Sequence, residues 1–244
     1  MYRRLTVSDV LYWFTKDGIP FTKGIVAFTV LTFFFSLLGG ERAVYSTLAF
    51  NSPLLMLKPW TILTYPLLIT DPFSLIFAGY WMWVAGGTLE RTWHTRKFAI
   101  FFLVVSAVSA LGVFFASLIT RDAVVLAGLW VPLAAVTVAF GMLNPEQVIL
   151  FMLIIPMKLK YLAMISAGLL FAAFARTNLV TGVFSLTGCA VAYCYVRYEL
   201  NNRLSAWYQD NVVRINPRSY RRKGLLGWFR EWREQKRLRD FLRK

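Results

Sequence analysis

Long apolar stretches separated by short polar segments recur along most of this chain. The clearest is Ala123–Leu143, which contains no charged residue. A helix of about 20 apolar residues is long enough to cross a hydrocarbon core of about 30 Å. The pattern therefore predicts one continuous membrane-spanning helix over Ala123–Leu143. Comparable runs predict five more spans, at about 24–38, 72–89, 98–120, 161–174 and 179–195.

Two connecting segments differ from water-exposed loops. Residues 39–71 are rich in Leu, Trp and Tyr, so we expect this first loop to lie in the membrane interface or to pack against the helices. Val148–Met157 is apolar but short, and Pro156 interrupts it, so we interpret it as a re-entrant or interfacial segment. The predicted fold class is an all-α polytopic membrane protein, a six-helix bundle with a membrane-embedded first loop.

The basic residues indicate how such a bundle is oriented. With six spans and both termini in the cytoplasm, most of the 27 Lys and Arg residues fall on the cytoplasmic side. We therefore expect an integral membrane protein of a bacterial-type inner membrane. The predicted divisions are a cytoplasmic segment at 1–21, a six-helix membrane domain at 22–198 and a basic cytoplasmic tail at 199–244.

Composition supports a membrane protein and disfavours a nucleic-acid partner. The chain is 58% hydrophobic, whereas soluble domains are usually about 45–50% apolar. The net charge of +15 follows the predicted topology, so no nucleic acid is expected. Aromatic side chains on one helical face among basic residues are typical of a helix on anionic lipid. In the tail, the residues that predict such a membrane-surface helix are Leu225, Trp228, Phe229 and Trp232.

Three motifs follow one another along the membrane domain. Gly79–Glu90 is an apolar helix that ends on a carboxylate, Gly128-Leu129-Trp130 comes later, and Ile154–Leu162 follows it. In this order, the motifs resemble those of the rhomboid family of intramembrane serine proteases. The resemblance implies a rhomboid-like bundle in which the sixth span packs on the fourth. The scaffold signature that it implies consists of Trp60, Gly86, Glu90, Gly128 and Gly188.

The positions that carry catalysis in that family hold other residues here. Trp130 stands where the nucleophilic serine is expected, and Ser185 stands where the histidine base is expected. Ser74 and Ala78 stand where a histidine and an asparagine would stabilise the oxyanion. The chain has one histidine, His94, in a predicted cytoplasmic turn, so neither a serine–histidine pair nor a zinc protease motif can be assembled from the spans. We expect no enzyme activity, no metal and no cofactor.

These positions leave alternatives open. Trp130 could fill the former active-site cavity or anchor a client helix, or it could pack in the core or face lipid. Ser185 and Ser74 are expected to bond to a nearby helix carbonyl, as serine does in membrane helices. Glu90 is expected to be structural rather than catalytic.

The function predicted from these observations is that of a rhomboid-like pseudoprotease that binds transmembrane segments of other proteins without cleaving them. The second hypothesis is a structural subunit of a larger membrane complex, with the tail and the first loop as contacts. A serine endopeptidase with an unrecognised catalytic arrangement is less favoured, because the catalytic residues are missing. A small-molecule transporter is less favoured as well, because the span interiors lack charged residues.

Overall fold

The computed structural model describes residues 18–151 and 155–214, and these residues are mostly helical. The helices are α1 (Pro20–Phe35), α2 (Glu41–Leu48), α3 (Thr61–Thr64), α4 (Pro72–Trp81), α5 (Gly87–Trp93), α6 (Thr95–Thr120), α7 (Trp130–Leu143), α8 (Leu159–Ala175), α9 (Leu179–Ser185) and α10 (Thr187–Arg214). Turns of π-helix, Ser36–Gly40 and Met82–Gly86, join α1 to α2 and α4 to α5. Short 3₁₀ turns cover Ser52–Leu54 and Tyr65–Leu67.

Local sequence sets several helix starts. Pro20 and Pro72 occupy the first turns of α1 and α4, where a missing N–H costs no helical hydrogen bond. The side chain of Asp71 accepts from the N–H of Ser74 at 2.7 Å and caps α4. Asn178 caps α9 in the same way, by accepting from the N–H of Val180. These caps give the helices fixed starting points.

The Ala123–Leu143 stretch is not one helix, and the sequence-based prediction of a continuous span is wrong there. Helix α7 begins only at Trp130. Gly128 precedes it with φ +90, a left-handed conformation that interrupts a helix and that glycine adopts without strain. Pro132 then lies in the first turn of α7, where proline is tolerated. From Trp130 onward the helix is apolar on all sides, and its side chains are buried along most of its length.

The residues before Gly128 are extended and pair with the first loop. Strand β1 (Phe50–Asn51) lies antiparallel to strand β2 (Val125–Leu126). Ser52 adds two bonds to Val124, since its N–H donates to the carbonyl at 3.0 Å and its Oγ accepts from the N–H at 3.0 Å. The N–H of Gly128 donates to the carbonyl of Tyr65 at 2.9 Å. The first loop is therefore a packed, partly helical segment that fixes the start of α7.

The apolar stretch after α7 is more regular than the sequence indicated. Strands β3 (Val148–Phe151) and β4 (Ile155–Lys158) form an antiparallel hairpin. Its re-entrant or interfacial position stays a prediction. Pro156 is compatible with a strand in a two-stranded hairpin, because every strand there is an edge strand. Glu146 ties the base of the hairpin to the next helix, with 2.6 Å ion pairs to Lys158 and Lys160.

Fewer than six helices meet the length and hydropathy of a membrane span within the described residues. Three do so alone: Pro20–Leu48, Thr95–Thr120 and Leu179–Asn201. A fourth is obtained if Thr61–Leu67 and Pro72–Trp93, which are bent by 100° relative to one another, count as one broken span. Helices α7 and α8 are apolar but shorter. The structure thus supports a helical membrane protein with three or four candidate spans, and six spans are not established.

The helices come closest where glycine faces a neighbour. A Cβ at Gly112 of α6 would lie 2.8 Å from the carbonyl oxygen of Phe184 in α9. A Cβ at Gly141 of α7 would lie 2.9 Å from the carbonyl oxygen of Leu159 in α8. Gly188 faces Ser109 of α6, not α7, so the expected packing of the sixth span on the fourth at this glycine is wrong. Small residues at positions 109, 112 and 188 explain why α10 approaches α6 here.

The chain divides into two units, Met1–Arg197 and Tyr198–Lys244. The second is described only as far as Arg214, where it is helical. The predicted membrane-surface helix at Leu225, Trp228, Phe229 and Trp232 lies outside the described residues.

Candidate functional site

An apolar groove lies between α4, α7 and α8, with a cavity volume of about 460 Å³. One wall is a row of large side chains on α4, each four residues after the last: Phe73, Phe77 and Trp81. The opposite wall is a row with the same spacing on α8, formed by Ile165, Leu169 and Ala173. Residues four apart lie on one face of a helix, so each row is a continuous ridge. Helix α7 forms the floor, with Leu133, Ala134 and Thr137.

A buried hydrogen bond fixes the inner end of the α4 wall. The indole Nε1 of Trp81 donates to Oγ1 of Thr137 at 2.7 Å. The Thr137 hydroxyl in turn donates to the carbonyl of Leu133, also at 2.7 Å. Both side chains are buried. Because a buried N–H without a partner is costly, this bond holds the Trp81 ring in one orientation.

Trp130 lies at another edge of the same groove, at the first position of α7. Its side chain is 44% exposed, and its indole Nε1 donates to Oγ of Ser74 at 3.1 Å. The bond connects the start of α7 to the first turns of α4. Trp130 therefore belongs to the groove wall rather than to the buried core.

The polar groups that line the groove have hydrogen-bond partners. Trp81, Thr137 and Trp130 are paired as described, and Ser166 donates to the carbonyl of Ala163 at 2.9 Å. No charged side chain lines the groove within the described residues. A membrane-embedded occupant therefore gains little from polar contacts and mainly from close van der Waals packing against the apolar walls.

The four positions compared with protease catalytic residues are not assembled into one site. The structure brings Trp130 and Ser74 together through their hydrogen bond, and Ala78 lies one turn further along α4, fully buried. Ser185 is buried at the end of α9 and donates to the carbonyl of Gly182 at 2.7 Å, the helix-carbonyl bond that was expected for it. Ser74 makes a different bond from the one expected, since its hydroxyl accepts from an indole.

The side chain of Glu90 binds the N-terminus of α1 through hydrogen bonds. Its carboxylate is fully buried and accepts from the backbone N–H groups of Phe21 at 2.9 Å and Thr22 at 2.8 Å. These N–H groups belong to the first turn of α1, which has no partners for them within the helix. A negative charge at a helix N-terminus is favourable, so Glu90 holds α1 against α5.

The other signature residues are spread over the bundle. Trp60 is half exposed in the first loop, and its Nε1 donates to the carbonyl of Thr47 at 3.0 Å. Gly86 leaves room for Met82 and Phe98, since a Cβ there would lie 3.0 Å from Met82 and 3.3 Å from Phe98. Gly128 interrupts the chain before α7 with its positive φ, and Gly188 allows α10 to approach α6 closely.

A family model described as eukaryotic integral membrane protein, DUF1751, matches residues 23–207, which is most of the chain. The chain belongs to this DUF1751 family. No curated protein matches it. The rhomboid assignment made from the three motifs is wrong, because the family model that matches the chain is that of DUF1751. The bacterial-type membrane is wrong as well, since DUF1751 is a eukaryotic family.

Sequence reasoning missed most residues of the groove in this DUF1751 protein. It singled out Trp130 and Ser74, but not Trp81, Thr137 or the two ridges. A usable signal existed in Trp81 and Thr137, because polar side chains within apolar spans need a partner on a neighbouring helix. The four-residue spacing of Phe73, Phe77 and Trp81 was a second signal in the sequence, because it places the three side chains on one face of a helix. Within the described residues, no three His, Cys, Asp or Glu side chains come together as a metal site would require.

Proposed function

We propose that this protein binds a transmembrane segment of another membrane protein in the groove between α4, α7 and α8, and does not cleave it. The observation that carries the proposal is the groove itself, which is open, apolar and free of unpaired polar groups along its wall. In a membrane, such a surface gains mainly from close van der Waals packing.

The form of the groove supports a helix as its occupant. Its walls are two ridges of four-residue spacing, and helices pack by placing such ridges into the grooves of a neighbour. Ala134 and Ala173 are small, so a second helix can approach closely there. The Phe73 and Phe77 rings stack with their centroids 5.5 Å apart, which presents a firm aromatic face to the occupant. A lipid acyl chain is the competing occupant.

A groove-filling variant tests this proposal. Ala173→Phe places a large side chain in the groove, whereas Leu118→Phe adds the same ring at an exposed position on α6, away from it. We expect membrane proteins that co-purify with the wild-type protein to be reduced about tenfold with Ala173→Phe and to be unchanged with Leu118→Phe. Equal recovery with both variants contradicts the proposal.

A structural subunit of a larger complex is the second candidate, and the first loop favours it. Met56 is 86% exposed and Leu57 is 72% exposed at its tip, next to the half-exposed Trp60. If this candidate is right, the loop variants Met56→Ser and Leu57→Ser release one partner of fixed stoichiometry, and Ala173→Phe leaves that partner bound. If Ala173→Phe releases the bound protein and the loop variants do not, the result supports binding in the groove.

We also propose that α7 and α8 cross the membrane with the longer helices, giving six spans. At 1.5 Å per residue they are about 21 Å and about 26 Å long, so the bilayer would have to thin locally around them. Single cysteines at Pro145 and Thr177, probed with a membrane-impermeant maleimide, test this. Labelling of both from the same side contradicts a crossing by α8.

A further inference from the structure

The junction between α5 and α6 contains a cavity that is chemically unlike the groove. Its volume is about 590 Å³. Basic residues dominate its wall, namely Arg91, His94, Arg96 and Lys97. Glu90 also lines it, but that carboxylate already accepts two backbone N–H groups of α1. Arg91 and Lys97 take part in further interactions, so Arg96 is the cation of this wall on which an anion site can rest.

Helix α6 begins in the wall of this cavity without a side-chain cap. Its N-cap residue is His94, in the positive-φ region at φ 69, and within the described residues no side chain caps the helix. The first N–H group with a partner in the helix is that of Phe98, which donates to the carbonyl of His94 at 3.1 Å. The N–H groups of Thr95, Arg96 and Lys97 precede it. Such a helix start favours an anion through its N–H groups and its dipole.

A second observation, independent of the helix start, also calls for an acceptor here. Trp93 lines the cavity and is only 1% exposed, yet its indole Nε1 has no hydrogen-bond partner within the described residues. The ring is fixed by edge-on contacts with Phe101, at 5.1 Å between centroids, and Tyr195, at 5.3 Å. An indole is a donor only, so the group that would satisfy it carries a lone pair. Buried polar groups without partners are rare and often mark a missing ligand or water.

We infer that this cavity binds a phosphate group, through the uncapped start of α6, the indole N–H of Trp93 and the guanidinium group of Arg96. A phosphate supplies several acceptor oxygens, which suits donors from a helix start, a ring and a guanidinium group. Helix α6 is long and apolar enough to cross a membrane, and its polar first turn, Thr95 to Lys97, is followed directly by apolar residues. That places the cavity at the level of lipid headgroups. The phosphate can therefore come from an anionic phospholipid or from free phosphate in solution.

The test uses the purified full-length protein with two probes, dioctanoyl phosphatidic acid and inorganic phosphate. Binding is measured by native mass spectrometry and by the rise of the thermal midpoint. We expect the affinity for phosphatidic acid to fall about tenfold in Trp93→Phe and in Arg96→Gln, because each loses one donor to an anion. Arg96→Lys, which keeps the charge, should retain most of the binding. Arg176→Gln, an exposed arginine outside the cavity, is the control for general loss of charge and should bind like the wild type.

Each outcome has a defined meaning. If inorganic phosphate competes with phosphatidic acid at equal phosphate concentration, the site takes free phosphate. If the lipid binds and inorganic phosphate does not displace it, the source is the membrane. The inference is overturned if the wild type binds neither probe, or if Trp93→Phe, Arg96→Gln and Arg176→Gln lose affinity equally. A purely structural role of Trp93 would lower the midpoint without ligand and leave the ligand-induced rise intact.

Discussion

Two boundaries between helices in this bundle are both apolar, yet one is closed and the other is open. Where α6 meets α9 and α10, Gly112 and Gly188 have no side chain, and the neighbouring helix fills the space. Where α4 faces α8, the ridges carry Phe73, Phe77 and Leu169, and they stand apart over the floor made by α7. Hydrophobicity therefore does not decide whether two membrane helices touch, and the size of the residues at the contact does.

The difference separates two tasks. The closed boundary holds the bundle together, because its contacts reach the backbone of the facing helix. The open boundary leaves apolar surface that a further helix can cover. Substitutions at the closed boundary should therefore change stability, and substitutions in the groove should change binding.

The largest effect is expected at the closed boundary. Gly112→Leu would drive a side chain into the carbonyl of Phe184 and the side chain of Thr187, and neither helix can move without breaking its other contacts. We expect a loss of at least about 3 kcal/mol of stability, or failure to fold. The thermal midpoint of the purified protein measures it. Ala173→Leu in the groove is the matched control, and a similar loss in both variants would remove the distinction between the two boundaries.

The next effect tests the contact that holds α1 against α5. Glu90→Ala leaves the N–H groups of Phe21 and Thr22 without their acceptor, and we expect a loss of about 2–4 kcal/mol. Glu90→Gln keeps one acceptor oxygen and should lose less. Glu41→Ala removes an exposed carboxylate from the first turn of α2 and serves as the control. A Glu90→Ala protein as stable as the control would show that Glu90 does not anchor α1.

Within the groove, the Trp81 bond should matter less to stability. Trp81→Phe keeps the aromatic ridge and removes only the donor to Thr137, so we expect a loss of about 1 kcal/mol. Trp130→Phe removes the more exposed bond to Ser74, and its effect on the midpoint should be smaller. If Trp130→Phe lowers the thermal midpoint more than Trp81→Phe does, the bond from Trp130 to Ser74 contributes more to holding α4 in place than the bond from Trp81 to Thr137.

The smallest effect concerns the hairpin outside both boundaries. Hydrogen bonds and charge from Lys158 and Lys160 lower the pKa of Glu146 to about 2, from an ordinary value of 4.5. Because the folded pKa is the lower one, these ion pairs stabilise the fold above pH 4.5, and that contribution is lost as the pH falls toward 2. Glu146→Gln should remove this part of the pH dependence of the thermal midpoint. The side chains are exposed, so the change is small. An unchanged acid profile would show that the pairs contribute nothing.

Sequence patterns predicted the helical membrane character, because long uncharged apolar runs are rare in water-soluble domains and typical of membrane helices. They failed at Ala123–Leu143, where hydrophobicity was taken for helix although Gly128 and Pro132 already indicated a start at Trp130. At Val148–Met157 they did not predict the hairpin, since a short apolar run gives no sign of whether it pairs with another strand.

The groove was harder to predict than the helices that form it. Trp130 and Ser74 were identified through a resemblance that the family match did not support, and they do meet, but as an indole–hydroxyl bond in a wall. Trp81 and Thr137 are 56 residues apart in the chain, so their hydrogen bond forms only when α4 and α7 become neighbours. No local pattern fixes which helices become neighbours, so such contacts follow only from the fold.

Site-specific photocrosslinking in native membranes tests the central claim most directly. A photoreactive residue replaces Leu169, 64% exposed in the groove, and in a separate protein replaces Leu118, 59% exposed on α6 outside it. We predict that position 169 gives adducts that mass spectrometry maps to transmembrane segments of other proteins, that Ala173→Phe abolishes them, and that position 118 gives lipid adducts. Lipid adducts at both positions, or protein adducts at 169 that survive Ala173→Phe, would contradict a groove that binds a transmembrane segment.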